Sequence, residues 1–402
     1  MSHDGALPST ADIVILGAGV MGASIAFHLA QREAGKIVVL EKDHVARGGS
    51  GRSSALIRMH YSFPPEVQLA LISLRMFQHW REVVGEPGDF RKTGFVRLVH
   101  PHEMERLKKN VETQRRLGVN VRLIGREELK SIEPDWRVEE VESAAYEPDS
   151  GYGDGAGAAN DFLSRAREMG VTYLPRTPVI SFCVKGGKIR GVNTGRGEIS
   201  SPLVIAATGP WSRPVFRQLG YNPPIETEYH QVAILKNAPD MKAGGCACID
   251  SVTATYFRSD GPDKFLIGDF YGQRCLDPEG ERGVDPDDFP QRPADDRLEE
   301  MIERASRRIP KLAHAEVLRG VTGVYDMTPD SRPLLGEVPG LQGLYLCAGF
   351  SGMGFKISPA IGLVMSELVL DGRSKSVDIA PFRLQRFAEG QPIQAEFEYA
   401  DD

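Results

Sequence analysis

A chain of 402 residues, 41% hydrophobic and 26% charged, is long enough for about two globular domains with a large core. Its net charge of −7 at pH 7, with basic residues dispersed rather than striped, argues against a nucleic-acid partner or an anionic membrane surface. The five cysteines (Cys183, Cys246, Cys248, Cys275, Cys347) are odd in number and lack CxxC or Cys/His metal spacing, so reduced thiols and no metal site are expected.

Residues 1–11 carry no basic stretch followed by an apolar one, and no later segment reaches membrane length without charges, so a cytoplasmic protein is expected. The apolar, β-branched run from Ile13 to Leu16 suits a strand buried on both faces, and it ends at Gly17. Gly17, Gly19 and Gly22 follow the GxGxxG spacing. The first permits a tight turn, the second the close approach of a pyrophosphate, and the third the packing of helix on strand. The helix expected over 20–31, opening with Val20 and Met21, aims free N–H groups and its positive dipole end at that turn, which stabilises an anion by about 0.3–1 kcal/mol. Residues 36–40 read as the second strand. Glu41, 19 residues past Gly22 and followed by Lys42, stands where a carboxylate accepts hydrogen bonds from ribose hydroxyls and disfavours a 2′-phosphate. Strand, turn, helix and acid agree on a dinucleotide; a glycine turn in an α/β fold without ligand is the plainer alternative.

The glycine- and serine-rich run 48–61 can wrap a ligand, with Gly51, Arg52, Ser53 and Ser54 facing phosphate or flavin-like carbonyls. Arg58, set among apolar residues, needs an anion, either an internal carboxylate or a ligand. Residues 66–84 read as one amphipathic helix, 95–99 as a strand and 103–117 as a charged surface helix. Over 146–212 the pattern returns to the first domain: a helix, a hairpin turning at Gly186-Gly187, and a buried strand 203–207 opening into Thr208, Gly209 and Trp211. Asp154 is either a ligand contact or the organiser of a turn. From 225 to 320 come strands, a proline- and acid-rich loop at 277–296 and a helix over 297–308, with Cys246 and Cys248 on one strand face as small core residues. Residues 344–348 read as a last strand, Gly349, Gly352 and Gly354 as a second glycine loop, and 358–370 as a helix. One pyrophosphate needs one such turn, so the second suits another electron-rich group such as a reduced isoalloxazine.

Together the runs GAGVMGASIA, VVLEK, GRSSALIRMHY, DGAGAAN, VIAATGPWS, YDMTPDSRPLLG and CAGFSGMGFKISPA resemble the flavoproteins of the D-amino-acid oxidase superfamily, in its sarcosine-oxidase-like branch, over nearly the whole chain. The resemblance implies an α/β fold, with a Rossmann-like FAD-binding domain discontinuous over 11–85, 146–224 and 321–385. An α+β antiparallel substrate domain is inserted over 86–145 and 225–320. It implies FAD with its ribose on Glu41, its phosphates at Gly17 to Gly22 and its adenine facing Val179. The isoalloxazine falls between the Arg52 region and the loop of Gly352, Met353, Gly354, Phe355 and Lys356. Arg58 and Lys356 match an arginine and a lysine that bind an amino-acid carboxylate, and Tyr61 and Tyr325 match positions lining the substrate cavity.

Three departures from the family pattern carry expectations. Some members attach FAD through a cysteine, but the matching residue is Gly323, so FAD is expected to be non-covalent. In the monomeric oxidases a lysine that activates oxygen precedes an Ile-Gly pair. Here Leu266 precedes Ile267 and Gly268, with Lys264 on the same strand face, so a dye, quinone or partner protein is expected to outdo oxygen as acceptor. Two histidines of that group match Phe270 and Met353. The resulting reading is an FAD-dependent oxidoreductase acting on the CH–NH bond of an amino acid, a secondary amine such as an N-alkyl glycine or cyclic imino acid. No general base is assigned. An NAD-dependent dehydrogenase, and a flavoprotein subunit or assembly factor with little turnover of its own, are the alternatives. The expected partners are the amino acid and an electron acceptor or partner subunit, with neither nucleic acid nor membrane.

Overall fold

In the computed structural model, which describes residues 6–238, 240–242, 244–272 and 283–399, the strand Ile13–Leu16 lies inside a six-stranded sheet. It pairs in parallel with Ile37–Leu40 on one side and Val204–Ala206 on the other. Thr172–Leu174 extends the sheet beyond the first and Leu344–Ala348 beyond the second, both in parallel, and Leu334–Glu337 closes the edge antiparallel. All four residues of Ile13–Leu16 and of Ile37–Leu40 are buried, as strands covered on both faces require.

The first helix, Val20–Gln31, packs against the helices Gly155–Glu168 and Gly354–Asp371. Its contact with the last helix is close, because a Cβ on Gly362 would stand 2.2 Å from Ser24 Oγ and 2.5 Å from His28 Nδ1. His28 is a core residue: burial lowers its pKa to about 4, and Nδ1 lies 2.9 Å from the Ser24 carbonyl.

A second, eight-stranded sheet runs in the order Glu316–Met327, Glu226–Lys236, Lys264–Asp269, Thr255–Ser259, Ala247–Asp250, Phe95–Leu98, Ser143–Glu147, Arg122–Gly125. It is antiparallel except where Ala247–Asp250 meets Phe95–Leu98 in parallel, a pairing the expected antiparallel domain did not include. One face buries Phe265, Ile267 and Ala233 under Leu298, Met301 and Ala305 of the helix Asp295–Arg308, and Cys246 and Cys248 are buried in the same core. The other face presents Val232, Ile234, Tyr256 and Leu266 to Leu56. The divisions drawn at 145/146 and 320/321 fall inside Ser143–Glu147 and Glu316–Met327.

Several elements differ from their sequence reading. The helix expected over 66–84 is two, Pro64–Gln78 and Trp80–Val83, parted at His79. The last helix begins at Gly354 rather than 358, so Gly354, Phe355 and Lys356 form its first turn instead of a loop. Asp154 caps Gly155–Glu168, its side chain accepting from Ala156 N at 2.9 Å. The hairpin of Val179–Lys185 and Lys188–Thr194 does turn at Gly186 and Gly187, with φ of +59° and +70° as a tight two-residue turn requires. Part of the 277–296 loop, with Cys275 before it, lies outside the described residues.

Candidate active site

Two concavities meet between the sheets. The first is a groove of about 1470 Å³, counted to its open mouth, along the carboxyl ends of the parallel strands. Gly17 makes the turn that opens it, with φ of +96° and a would-be Cβ 2.5 Å from the Ala207 carbonyl oxygen, so no side chain fits there. Gly19 lines the groove beside Val20, whose N–H donates to Ser50 Oγ at 2.9 Å. The first helix has neither a side-chain cap nor an acid in its first turn, which leaves its dipole end directed at the groove. Glu41 lines the groove further along. Its Oε2 accepts from Ala18 N at 2.8 Å and its Oε1 from Asp43 N at 2.9 Å, so the carboxylate is held in place by backbone. Met21, Lys42, Ser53 and Val179 line the same groove, as do Thr208, Gly209 and Trp211, and at the far end Gly352, Gly354 and Phe355.

Gly22, Gly51, Arg52 and Gly349 line neither this groove nor the cavity that adjoins it. Gly22 does not line the groove; a Cβ there would meet the Gly17 carbonyl oxygen at 2.0 Å, so it sets the packing of helix on turn. Gly51 is exposed, its would-be Cβ 2.5 Å from the Ala46 carbonyl oxygen. Arg52 is turned outward: Nη1 donates to the Thr322 carbonyl at 2.7 Å, Nη2 to Gln291 Oε1 at 2.6 Å, and the guanidinium lies 5.1 Å from the Phe289 ring. Gly349 donates its N–H to Asp326 Oδ2 at 2.6 Å and holds the last strand to Glu316–Met327. Burial raises that aspartate to a pKa of about 6.

The second concavity, about 1580 Å³, carries the charge. Arg58, Lys356, Tyr61 and Tyr325 all line it, and so do Ser54 and Met353; these two and Lys356 are residues expected on the cofactor. Gly352 and Tyr325 line both spaces, which join there. Arg58 lies with its guanidinium 4.4 Å from the Tyr61 ring, Nη1 donates to the His60 carbonyl, and its buried Nε has no hydrogen-bond partner among the described residues. A guanidinium so placed fits an anion. Lys356 is 8% exposed, its Nζ donating to the Gly352 carbonyl at 3.3 Å; burial, with Arg58 beside it, pulls its pKa well below the usual lysine value.

Sequence reasoning missed much of this cavity, including His60, Arg97, Glu228, His230, Arg332 and Tyr399. Arg97 alone left a signal, a charge inside the buried strand Phe95–Leu98. Glu228 and His230 pair at 2.9 Å, and His230 stacks on Tyr325 with centroids 4.0 Å apart. Arg332 joins Glu66 and Glu398. Leu266 is buried among Phe95, Val232, Ile234 and Tyr256, and Lys264 is exposed, so neither brings a cation to the groove. Among the described residues no helix is long and apolar enough to cross a membrane.

The family model described as FAD dependent oxidoreductase matches residues 12–368. The FAD-dependent oxidoreductase domain-containing protein 1 of Mus musculus is 28% identical, over 96% of this chain and 87% of its own length. Sarcosine oxidase subunit beta of Arthrobacter sp is 26% identical, over 95% of this chain and 92% of its own. The crystal structure of L-proline dehydrogenase from P. horikoshii superposes with a TM-score of 0.87 at 29% identity, covering 96% of this chain and all of that one.

Proposed function

This chain belongs to the FAD dependent oxidoreductase family, as an FAD enzyme acting on the CH–NH bond of an amino acid, and from that premise we propose that its substrate is a secondary amine, an N-alkyl glycine or cyclic imino acid. The observation that carries the reading is Arg58 beside Lys356 in the cavity that opens onto the glycine-lined groove. A guanidinium with an unused buried N–H and a desolvated amine make a seat for one carboxylate. The substrates named for two relatives, sarcosine and proline, are both secondary amines, which supports that class here.

In this reading Glu41 takes the ribose hydroxyls of FAD, the Gly17 to Gly22 turn and the first helix take its phosphates, and the first turn of the last helix faces its electron-rich end. FAD bound there supplies a two-electron acceptor for the hydride leaving the carbon next to nitrogen, and the imine product hydrolyses in water. Arg58 and Lys356 fix the carboxylate, and through it the orientation of the C–H, while Tyr61 and Tyr325 wall the cavity. That positioning is the chain's main contribution to rate. With Leu266 where a cation would favour superoxide, the preferred acceptor is a dye, a quinone or a partner subunit rather than oxygen.

The test is anaerobic bleaching of the flavin band across a panel of primary, N-alkyl and cyclic amino acids. Bleaching by N-alkyl or cyclic members at the lowest concentrations is the expected result; preference for primary amines overturns the substrate class. Bound FAD that no amine bleaches would instead mark a subunit without turnover of its own. Acid precipitation should release all flavin as FAD, and yellow precipitate would reveal a covalent bond.

A further inference from the structure

Among the described residues, Arg58 Nε, His60 Nδ1 and Glu147 Oε1 are buried polar atoms without a hydrogen-bond partner, and all three belong to one cluster behind the proposed carboxylate seat. Glu147 ends the strand Ser143–Glu147 and is fully buried. Its Oε2 accepts from Met59 N at 3.0 Å and Ser150 Oγ at 2.5 Å, while Oε1 stands 4.0 Å from His60 Nδ1. His60 Nε2 lies 2.8 Å from Tyr399 Oη, and the His60 carbonyl accepts Arg58 Nη1. The carboxyl group of Glu147 therefore grips the amide between Arg58 and His60.

We propose that Glu147 is a positioning residue for substrate capture: through Met59 it aims Arg58 into the cavity, and it takes up a proton when the substrate carboxylate arrives. The inference rests on Arg58 holding that carboxylate. Two carboxylates beside one guanidinium out of water repel each other, and the one that can shed its charge is the one already desolvated. Burial raises the Glu147 pKa to about 7, with hydrogen bonds from Ser150 and Met59 and the charge of Arg58 opposing it. Of the other titratable groups nearby, His60 is kept neutral by burial and by the charges of Arg97 and Arg58, and Lys356, lowered by burial and by Arg58, donates to the Gly352 carbonyl at 3.3 Å. The proton comes from solvent onto a Glu147 oxygen and returns when product leaves.

Methoxyacetate is a suitable probe, because an ether oxygen replaces the amine nitrogen and no titratable amine is present. FAD-loaded protein is titrated with it calorimetrically near pH 7 in two buffers of different ionisation enthalpy, and by flavin absorbance across the neutral range. Binding should take up about half a proton at pH 7 and approach one proton above it, with affinity falling by up to about tenfold per pH unit above neutrality. Glu147→Gln should abolish the uptake and flatten the pH profile, and Glu147→Asp should restore both in part. Lys356→Met should bind more weakly yet keep the uptake. No uptake by the parent protein, equal uptake by Glu147→Gln, or loss of uptake in Lys356→Met overturns the proposal. The Lys356→Met result decides it if Glu147→Gln does not fold. Binding by Arg58→Met as tight as the parent's would instead bring down the carboxylate seat itself.

Discussion

The glycine-lined groove and the charged cavity share Tyr325 and Gly352 but are built on opposite principles. The groove is made of backbone: turns with no room for a Cβ, helix ends without caps, one carboxylate pinned by two amides. The cavity is made of side chains, with four potential cations (Arg58, Arg97, Arg332, Lys356) and two acids (Glu66, Glu228) brought from distant segments. Backbone sites fail by steric collapse. Side-chain sites fail by degrees and answer to protons.

The sharpest break of that contrast is in the groove. Gly22→Val places carbon 2.0 Å from the Gly17 carbonyl oxygen, which cannot move without opening the turn. Overpacking of this kind costs at least about 1–3 kcal/mol, and the expected outcome is protein purified without FAD and with a lowered melting temperature. In the cavity, Arg58→Met or Lys356→Met removes a charge-assisted bond of about 1.5–3 kcal/mol and should raise the amine concentration for half-bleaching tenfold or more. FAD content should not change. Loss of flavin from these variants would erase the distinction between the two spaces.

A third comparison uses pH. Glu147 keeps its proton in the folded chain up to about pH 7, whereas an ordinary glutamate ionises near 4.5. Between those values the unfolded state has ionised and the folded state has not, so stability falls as pH rises through the window and levels off above it. Glu147→Gln should remove a slope of order 1–3 kcal/mol, read as melting temperature against pH beside the parent. The smallest effect is expected where the cavity domain reaches over the groove at the surface. Asp287 pairs with Lys42 and accepts from Trp211 Nε1 at 3.0 Å, but Asp287 and Lys42 side chains are 62% and 39% exposed. Asp287→Asn should change FAD affinity by less than about fivefold, since such pairs are worth about 0–1 kcal/mol. A larger loss, measured by flavin release on dilution, would make that contact a fastener of the cofactor.

The difference in construction also explains what was legible beforehand. The strand, turn, helix and acid of the groove are contiguous over Ile13 to Glu41, and their spacing carries the geometry. The α/β fold followed from that unit and its repeat around Leu344–Ala348. Arg52 and Gly349 bond to other protein groups, and one-dimensional spacing near a glycine turn does not say which way a residue faces. The cavity was legible at Arg58 through its apolar setting, and at Tyr61, Tyr325 and Lys356 through resemblance. Glu228, His230 and Arg332 reach it through pairings across the sheet or just past Glu316–Met327, and Tyr399 through a tail anchored by Arg386 on Asp330 at 2.8 Å. No local pattern encodes such contacts. The parallel pair of Ala247–Asp250 and Phe95–Leu98 escaped for the same reason, since about 150 residues separate its strands.

The first turn of the last helix has Gly354 and Phe355 in one wall and Lys356 in the other, with Met353 just ahead. Whatever free energy either ligand gains by settling that turn is therefore common to both equilibria. Reciprocity then applies: the factor by which FAD tightens a substrate analogue must equal the factor by which the analogue tightens FAD. Apoprotein titrated with FAD, with and without saturating methoxyacetate, should yield the first half of that equality. The analogue titrated into apo and loaded protein should return the same number, and a factor above one would make cofactor retention a readout of substrate occupancy.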